Sequence, residues 1–446
     1  MVNIKIIVAF SLFLLFYSGT VYSQAHDTST VYKKRVLEAV EIDFLTSIYG
    51  QDGNNAAVTG GKGTEQLING TGAIVISLPL NADDVLTIDA SVSAYSSASS
   101  SNINPFDGKS GIADPFVASS GASRQDVWSN YSASYSHSSD NRNRIWSAKA
   151  SISSEYDYFS VGLGGDYATL FNQKNTELSV HLSAYIDSWR PIYPVELRDP
   201  SSSSSDDDDD EHFNINNHII SGNINYAPDF DPLQEKGRYS YTLGFGFAQI
   251  LSKSLQGSLA FDIVKQEGLL STPFQRVYFA DVADSFIENF HLAEDIERLP
   301  NSRLKLAAGG RLNYYINEIF VLRSFYRFYS DDWGIVSHTA YLEIPIRISD
   351  KITLYPSYRF YNQTNSTYFA PYNQHLSTNP FYTSDYDLSQ YHANQYSFGI
   401  TYTDIFAQSC VWRFGLKTLD LKVTYYNRNT FFESFIISAG TKFIFD

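Results

Sequence analysis

Cysteine is almost absent. Cys410 stands alone among 446 residues, which excludes an internal disulfide framework and any metal or cluster site built on several thiolates. Positive charge is sparse. Lys+Arg number 32 against 48 Asp+Glu, for a net charge of −16; without clustered cations the chain cannot neutralise phosphates, so nucleic acid is excluded as a partner. Long apolar runs are missing too. A mean hydropathy of −0.22 excludes a bundle of membrane helices. The longest continuous run, IIVAFSLFLLF at 6–16, is too short to span a bilayer. The chain has no His-Glu-x-x-His pair, no Gly-x-Ser-x-Gly elbow and no phosphate loop of the Gly-x-x-x-x-Gly-Lys-Ser/Thr type. Such a chain is expected to be no enzyme, with no catalytic residues, no resident metal and no cofactor, although its many serines leave an embedded hydrolase conceivable.

What the chain does have is aromatic and alternating. It carries 33 Tyr and 31 Phe beside only 18% charged residues, which suits β-strands and the aromatic girdles of a membrane barrel. Residues 1–23 read as a signal peptide: Lys5 precedes the apolar run, and Val21 and Ser23 place cleavage before Gln24. Beyond them, apolar and polar residues alternate to the end. Leu178, Val180, Leu182, Ala184 and Ile186, for example, interleave with Ser179, His181, Ser183 and Asp187. Such period-two stretches predict strands with one apolar and one polar face. They fall at 38–51, 66–80, 85–97, 126–138, 143–156, 158–170, 176–189, 238–251, 255–267, 302–315, 319–332, 336–348, 351–363, 393–405, 417–428 and 434–446.

Short links near 81–84, 139–142, 171–175, 252–254, 316–318 and 349–350, with a longer one at 406–416, alternate with 52–65, 98–125, 157, 190–237, 268–301, 333–335, 364–392 and 429–433. Links that are short on one side and often long on the other predict an all-β, transmembrane antiparallel barrel of about sixteen strands, with short periplasmic turns and long extracellular loops. Residues 24–446 then form a single outer-membrane domain, surrounded by lipid, with both termini periplasmic. A soluble sandwich would not keep long and short links on fixed sides. The run SSSSSDDDDDE at 201–211 has no apolar content and is expected to be disordered. Its consecutive aspartates lack the spaced ligands of a calcium loop. GLLSTPF at 268–274 and YFAPY at 368–372 are apolar-aromatic and suit packed loops better than free tips.

Parity sorts the charges that face the lumen. The first nine strands place Glu41, Asp43, Asp89, Glu155, Asp157, Asp166, Glu177, Asp187 and Asp262 inward, against the single cation Lys149. The last seven place Arg303, Lys305, Arg311, Arg323, Arg327, Arg347, Arg359, Lys422, Arg428 and Lys442 inward, against Asp331, Glu343 and Asp420. One half-wall is therefore expected to be acidic and the other basic, as in a pore with a transverse field. The basic neighbours on the tenth and eleventh strands are expected to lack local partners. His181 is expected to be a hydrogen-bonded wall residue. Asp385 and Asp387 fit a loop-stabilising turn better than a cation site, and Cys410 has no resolving partner.

Several runs resemble a known family. They are QDGNN at 51–55, VTGGKGTE at 58–65, AYSSASS at 94–100, GLLSTPFQRVYF at 268–279, IERLPNSR at 296–303, DDWG at 331–334, YFAPY at 368–372 and YTSDYDLS at 382–389. With them the chain resembles the outer-membrane barrels of the domain of unknown function 3570 family. The resemblance implies a barrel of the Bacteroidota type and carries no reaction with it. The serine-aspartate insertion departs from it. Three functions compete: a porin-like channel or transporter for an unidentified solute, a scaffold barrel that docks or sheathes a periplasmic or lipoprotein partner, and an embedded enzyme.

Overall fold

The computed structural model describes residues 34–96, 125–190, 221–223, 237–272, 275–287, 290–407 and 409–445. Residues 1–23, expected to be a signal peptide, and the 201–211 run lie outside these residues. The chain divides into Met1–Arg35 and Val36–Asp446, and every described strand lies in the second unit.

Alternating sequence becomes alternating strand. The barrel strands are β1 Val40–Asp52, β2 Leu67–Pro79, β3 Asp84–Ser96, β4 Gln125–Ser138, β5 Arg144–Ser154, β6 Tyr158–Phe171, β7 Thr176–Trp189, β8 Gly237–Ile250 and β9 Leu255–Gly268. They continue as β10 Ser302–Tyr315, β11 Val321–Asp331, β12 Val336–Glu343 with Ile346–Arg347, and β13 Ile352–Leu354 with Ser357–Gln363. The last three are β14 Tyr391–Thr403, β15 Phe414–Arg428 and β16 Phe432–Phe445. Each pairs antiparallel with the next. The sheet closes on itself where β1 meets β16, from Val40↔Phe445 to Asp52↔Glu433. Closure leaves no unpaired sheet edge. Among the described residues no helix is long and apolar enough to cross a membrane.

One parity of each strand carries large apolar side chains in the open: Ile48 is 63% exposed, Leu259 63% and Phe398 53%. Water would not tolerate such a continuous apolar belt around a monomer, whereas hydrocarbon would. The other parity carries most of the charged and polar side chains, as with Arg323, Arg327 and Asp331 on β11. The strands bury little between them, so the buried core lies elsewhere. Arg276, Val277, Tyr278, His291, Leu292 and Ile296 are all almost fully enclosed, and all belong to the β9–β10 connection.

Candidate functional site: a folded layer across the mouth

Among the described residues, three long connections build most of this layer, with Ser221–Asn223 of the β7–β8 connection joining one of them. The three follow β1, β9 and β13, and β1 and β9 stand half the barrel apart. Their side chains nevertheless meet. A Cβ at Gly60, between β1 and β2, would lie 2.6 Å from the Tyr278 ring, and one at Gly61 would lie 2.6 Å from the Ser384 carbonyl. Both glycines have left-handed backbones, φ 80° and 85°, a region that larger residues avoid. Residues 275–301 and 364–390 are joined by bridges at Phe279↔His375 and Arg298↔Tyr382. Val277, Phe279 and Tyr382 form a small apolar core between them. Loops from opposite walls can touch in this way only by crossing the opening.

Polar bonds fix the layer. Glu297 accepts from the Thr272 amide at 2.6 Å and from the Thr383 hydroxyl at 2.5 Å. Arg298 forms a bidentate pair with Asp295 at 3.0 and 3.1 Å, and the Tyr382 hydroxyl donates to the same carboxylate. Anchors to the wall come from below: the Gln363 side-chain amide donates to the carbonyls of Asp387 and Ser389 at 2.9 and 2.6 Å, and Arg428 donates to Asp387 at 2.6 Å. Asp385 caps the short turn Tyr386–Leu388 by accepting from the Asp387 amide, so these two aspartates serve the turn. Burial, with Asp385 close by, pushes the Glu297 carboxyl up to about 8. Burial and Asp387 push Asp385 up to about 7.

The wall beneath is polar and unevenly compensated. Register brings Lys305 opposite Asp331, Arg311 opposite Phe325, Arg327 opposite Gly309 and Thr339, and Arg359 opposite Tyr341 and Gln395. Two of the basic residues expected to lack local partners in fact have them. Arg303 donates to Asp331 at 2.5 Å, and Arg323 donates to Glu343 at 2.9 Å. Arg303 reaches Asp331 on the diagonal, two positions from Lys305, whereas Arg323 stands directly opposite Glu343 of β12. Among the described residues Lys305, Arg311, Arg327 and Arg359 have no carboxylate within 4.0 Å. Arg311 instead lies over Phe325, and Lys422 over Tyr355. Arg347 pairs with Asp350 in the short turn beyond β12.

The acidic half is similarly mixed. Glu41 meets Lys417 and Lys442 at 2.6 and 2.9 Å, and Asp43 meets Lys442 at 3.3 Å, so the halves join through ion pairs at the β1–β16 seam. Asp166 binds Ser147 and His181. Asp187 holds Arg238, a cation of β8 that the parity argument missed although it shares the parity of Ser240 and Thr242. Glu155 and Asp157 sit in the turn between β5 and β6, outside the strands, and Asp157 accepts from the Trp189 indole at 2.8 Å. Asp89, Glu177 and Asp262 take their places on β3, β7 and β9, and Lys149 its place on β5. Cys410 is free and exposed.

Comparison with solved structures returns other barrels at low identity. The bacterial polysaccharide outer membrane secretin is 9% identical at a TM-score of 0.43, with 90% of this chain and 98% of that chain covered. Pseudomonas aeruginosa OccK9 (OpdG) is 6% identical at 0.38, covering 91% and 98%. The Pseudomonas putida toluene transporter TodX is 8% identical at 0.38, covering 92% and 89%. None of the curated proteins matches the chain. The family described as "Protein of unknown function (DUF3570)" matches residues 7–431. That span covers nearly the whole chain, and the chain belongs to this family.

Proposed function

We propose that this protein is an outer-membrane channel for a small solute, with both termini in the periplasm and a folded extracellular layer that gates its mouth. The observation that carries the reading is the meeting of loops from opposite walls over a polar barrel interior. A sixteen-strand barrel has room for a water-filled passage. The cations Lys305, Arg311, Arg327 and Arg359, which form no ion pair within 4.0 Å among the described residues, give that passage a side that attracts anionic groups.

Planar-bilayer recording tests it. The intact protein should show small or rare openings. Replacing 276–297 by a short Gly-Ser linker should raise conductance several-fold, provided the barrel still shifts between unboiled and boiled migration in SDS. In that opened variant, Arg327→Gln with Arg359→Gln should move the reversal potential under a salt gradient toward cations, less so at high salt because of screening over about 10 Å at 0.1 M. A folded, opened variant with no conductance overturns the channel reading.

A second reading, the scaffold, draws on the turn at 404–413. Ile405, Phe406 and Trp412 there are 72%, 82% and 87% exposed. An apolar, aromatic turn of this kind fits a lipoprotein or periplasmic partner as well as it fits the membrane interface. A stoichiometric partner that copurifies, and is lost with Phe406→Ser and Trp412→Ser, would establish it.

A further inference from the structure

Within the mouth layer, one group of side chains is arranged around a point rather than around each other. Asp284, His291 and Glu294 bring one ligand atom each within 4.8 Å of the others. His291 is enclosed, with 2% of its side chain accessible, and among the described residues its Nε2 has no hydrogen-bond partner. That nitrogen lies 3.5 Å from Asp284 Oδ1. Glu294 Oε1 is likewise buried and has no hydrogen-bond partner among the described residues, while its second oxygen accepts from the Phe279 amide. Leaving such atoms unpaired costs about 1–3 kcal/mol each. Two ligands on one tetrahedral ion stand about 3.4 Å apart when each bond is about 2.1 Å. The His291–Asp284 spacing already has that value, and closing the group needs the carboxylates to swing by about an ångström.

The backbone holds the three donors in place. Phe286 pairs with His291 across a two-residue ribbon. The Phe286 amide bonds the Ser221 carbonyl at 3.0 Å, and the Asn223 amide bonds the Ser285 hydroxyl at 3.0 Å. The imidazole is clamped between Tyr278 and Phe286, with ring centroids at 4.4 and 4.7 Å. Its Nδ1 lies 2.5 Å from the Tyr372 hydroxyl. An Nδ1–H donated to that oxygen leaves the Nε2 lone pair aimed at the group, the arrangement by which an outer partner orients a metal-binding histidine. Asp284 is the solvent-facing member, with 41% of its side chain accessible, and offers an entry path.

We propose that Asp284, His291 and Glu294 bind a divalent first-row transition cation of the zinc type, which clamps the 275–301 hairpin of the mouth layer. One imidazole nitrogen and two carboxylate oxygens select such an ion over calcium or magnesium, which take all-oxygen shells. Three protein ligands leave a further position for water. The proposal does not depend on whether the barrel conducts.

The test uses the mature chain, purified in detergent with a tag other than polyhistidine, stripped with EDTA and dialysed against Zn²⁺. A parallel sample lacks 201–211, so that its aspartates contribute nothing. Metal content by mass spectrometry and titration calorimetry should give a single tight equivalent in both, undisturbed by excess Ca²⁺. Zn²⁺ should also slow amide exchange across 275–301. His291→Ala should weaken binding by about a hundredfold or more, and Tyr372→Phe by about ten- to a hundredfold. Asp284→Asn, on an exposed side chain, keeps the test open if the histidine variant does not fold. No bound Zn²⁺ in the intact protein overturns the proposal. So does a stoichiometry and affinity unchanged in folded Asp284→Asn and His291→Ala, or displacement by Ca²⁺.

Discussion

Asp331 shows how much one side chain does in this molecule. Its carboxylate has no accessible surface, and it accepts from Arg303, from the Tyr329 hydroxyl and from the amides of Trp333 and Ile335. Arg303 in turn lies over the Trp333 ring at 4.3 Å. Asp331→Ala would leave the guanidinium uncompensated and the turn donors unbonded, at a cost of about 3–5 kcal/mol. The expected result is easier proteolysis at 332–335 and a lower temperature for loss of the unboiled band. Glu297 makes a pH-dependent contribution of known sign. Its folded value, raised to about 8, lies above the roughly 4.3 of an open chain. The closed layer therefore holds a proton that the open layer releases, and closure weakens as pH rises between those values. Asp385, raised by burial and by Asp387 and opposed by Arg428, acts in the same direction. Amide exchange over 290–301, corrected for intrinsic rate, should be faster at pH 8 than at pH 6. Glu297→Gln should flatten the difference; an equally steep profile in that variant would assign the effect elsewhere.

Among the elements, β12 and β13 depart from the pattern of the rest. Each alternates along its length and was expected to run unbroken. Each is interrupted, between Glu343 and Ile346 and between Leu354 and Ser357. Pro345 and Pro356 stand in these gaps and have no amide to give the ladder. The Ile344 amide still finds the Pro356 carbonyl at 3.1 Å. At the same level the Tyr355 amide bonds the Gly399 carbonyl at 2.9 Å, and its ring folds over Gly399, where its hydroxyl reaches Asp420 at 2.5 Å. A Cβ at Gly399 would intrude on that ring. Gly399→Val should expel it, break the bond to Asp420 and cost about 1–3 kcal/mol, read as a lower melting temperature with unchanged strand content by circular dichroism. The strands themselves were legible in the sequence because side-chain direction in a strand is a local, period-two property. The layer over the mouth was legible only in part. The apolar-aromatic character of 268–274 and 368–372 marked packed loops, but which loops converge depends on closure of the whole ring. The same holds for Asp284, His291 and Glu294, whose spacing matches no linear motif. Arg303 and Arg323 were expected to lack local partners because the count weighed the many cations of β10 and β11 against one another and passed over single carboxylates, Asp331 on the diagonal and Glu343 directly opposite on β12.

For the whole molecule, closure means that unfolding has no edge from which to begin. Unboiled protein should migrate differently from boiled protein in SDS, and identical migration would contradict a closed barrel. The side carrying the long connections should face outward from the cell. An epitope between Ser205 and Asp206 should then be reached by antibody on intact cells, and detection only after permeabilisation would invert the orientation.

The β1–β16 seam is a junction like the other fifteen, and a ring of antiparallel strands has no first member. The order in which the strands are synthesised is therefore separable from the shape they make. Linking residue 445 to residue 36 through a short polar joint and opening the chain at 252–254 should give a permuted protein with the same band shift and the same mouth layer. If the permutant fails to close while its strands still form, assembly reads the order in which strands arrive, and that history belongs to the fold as much as the register does.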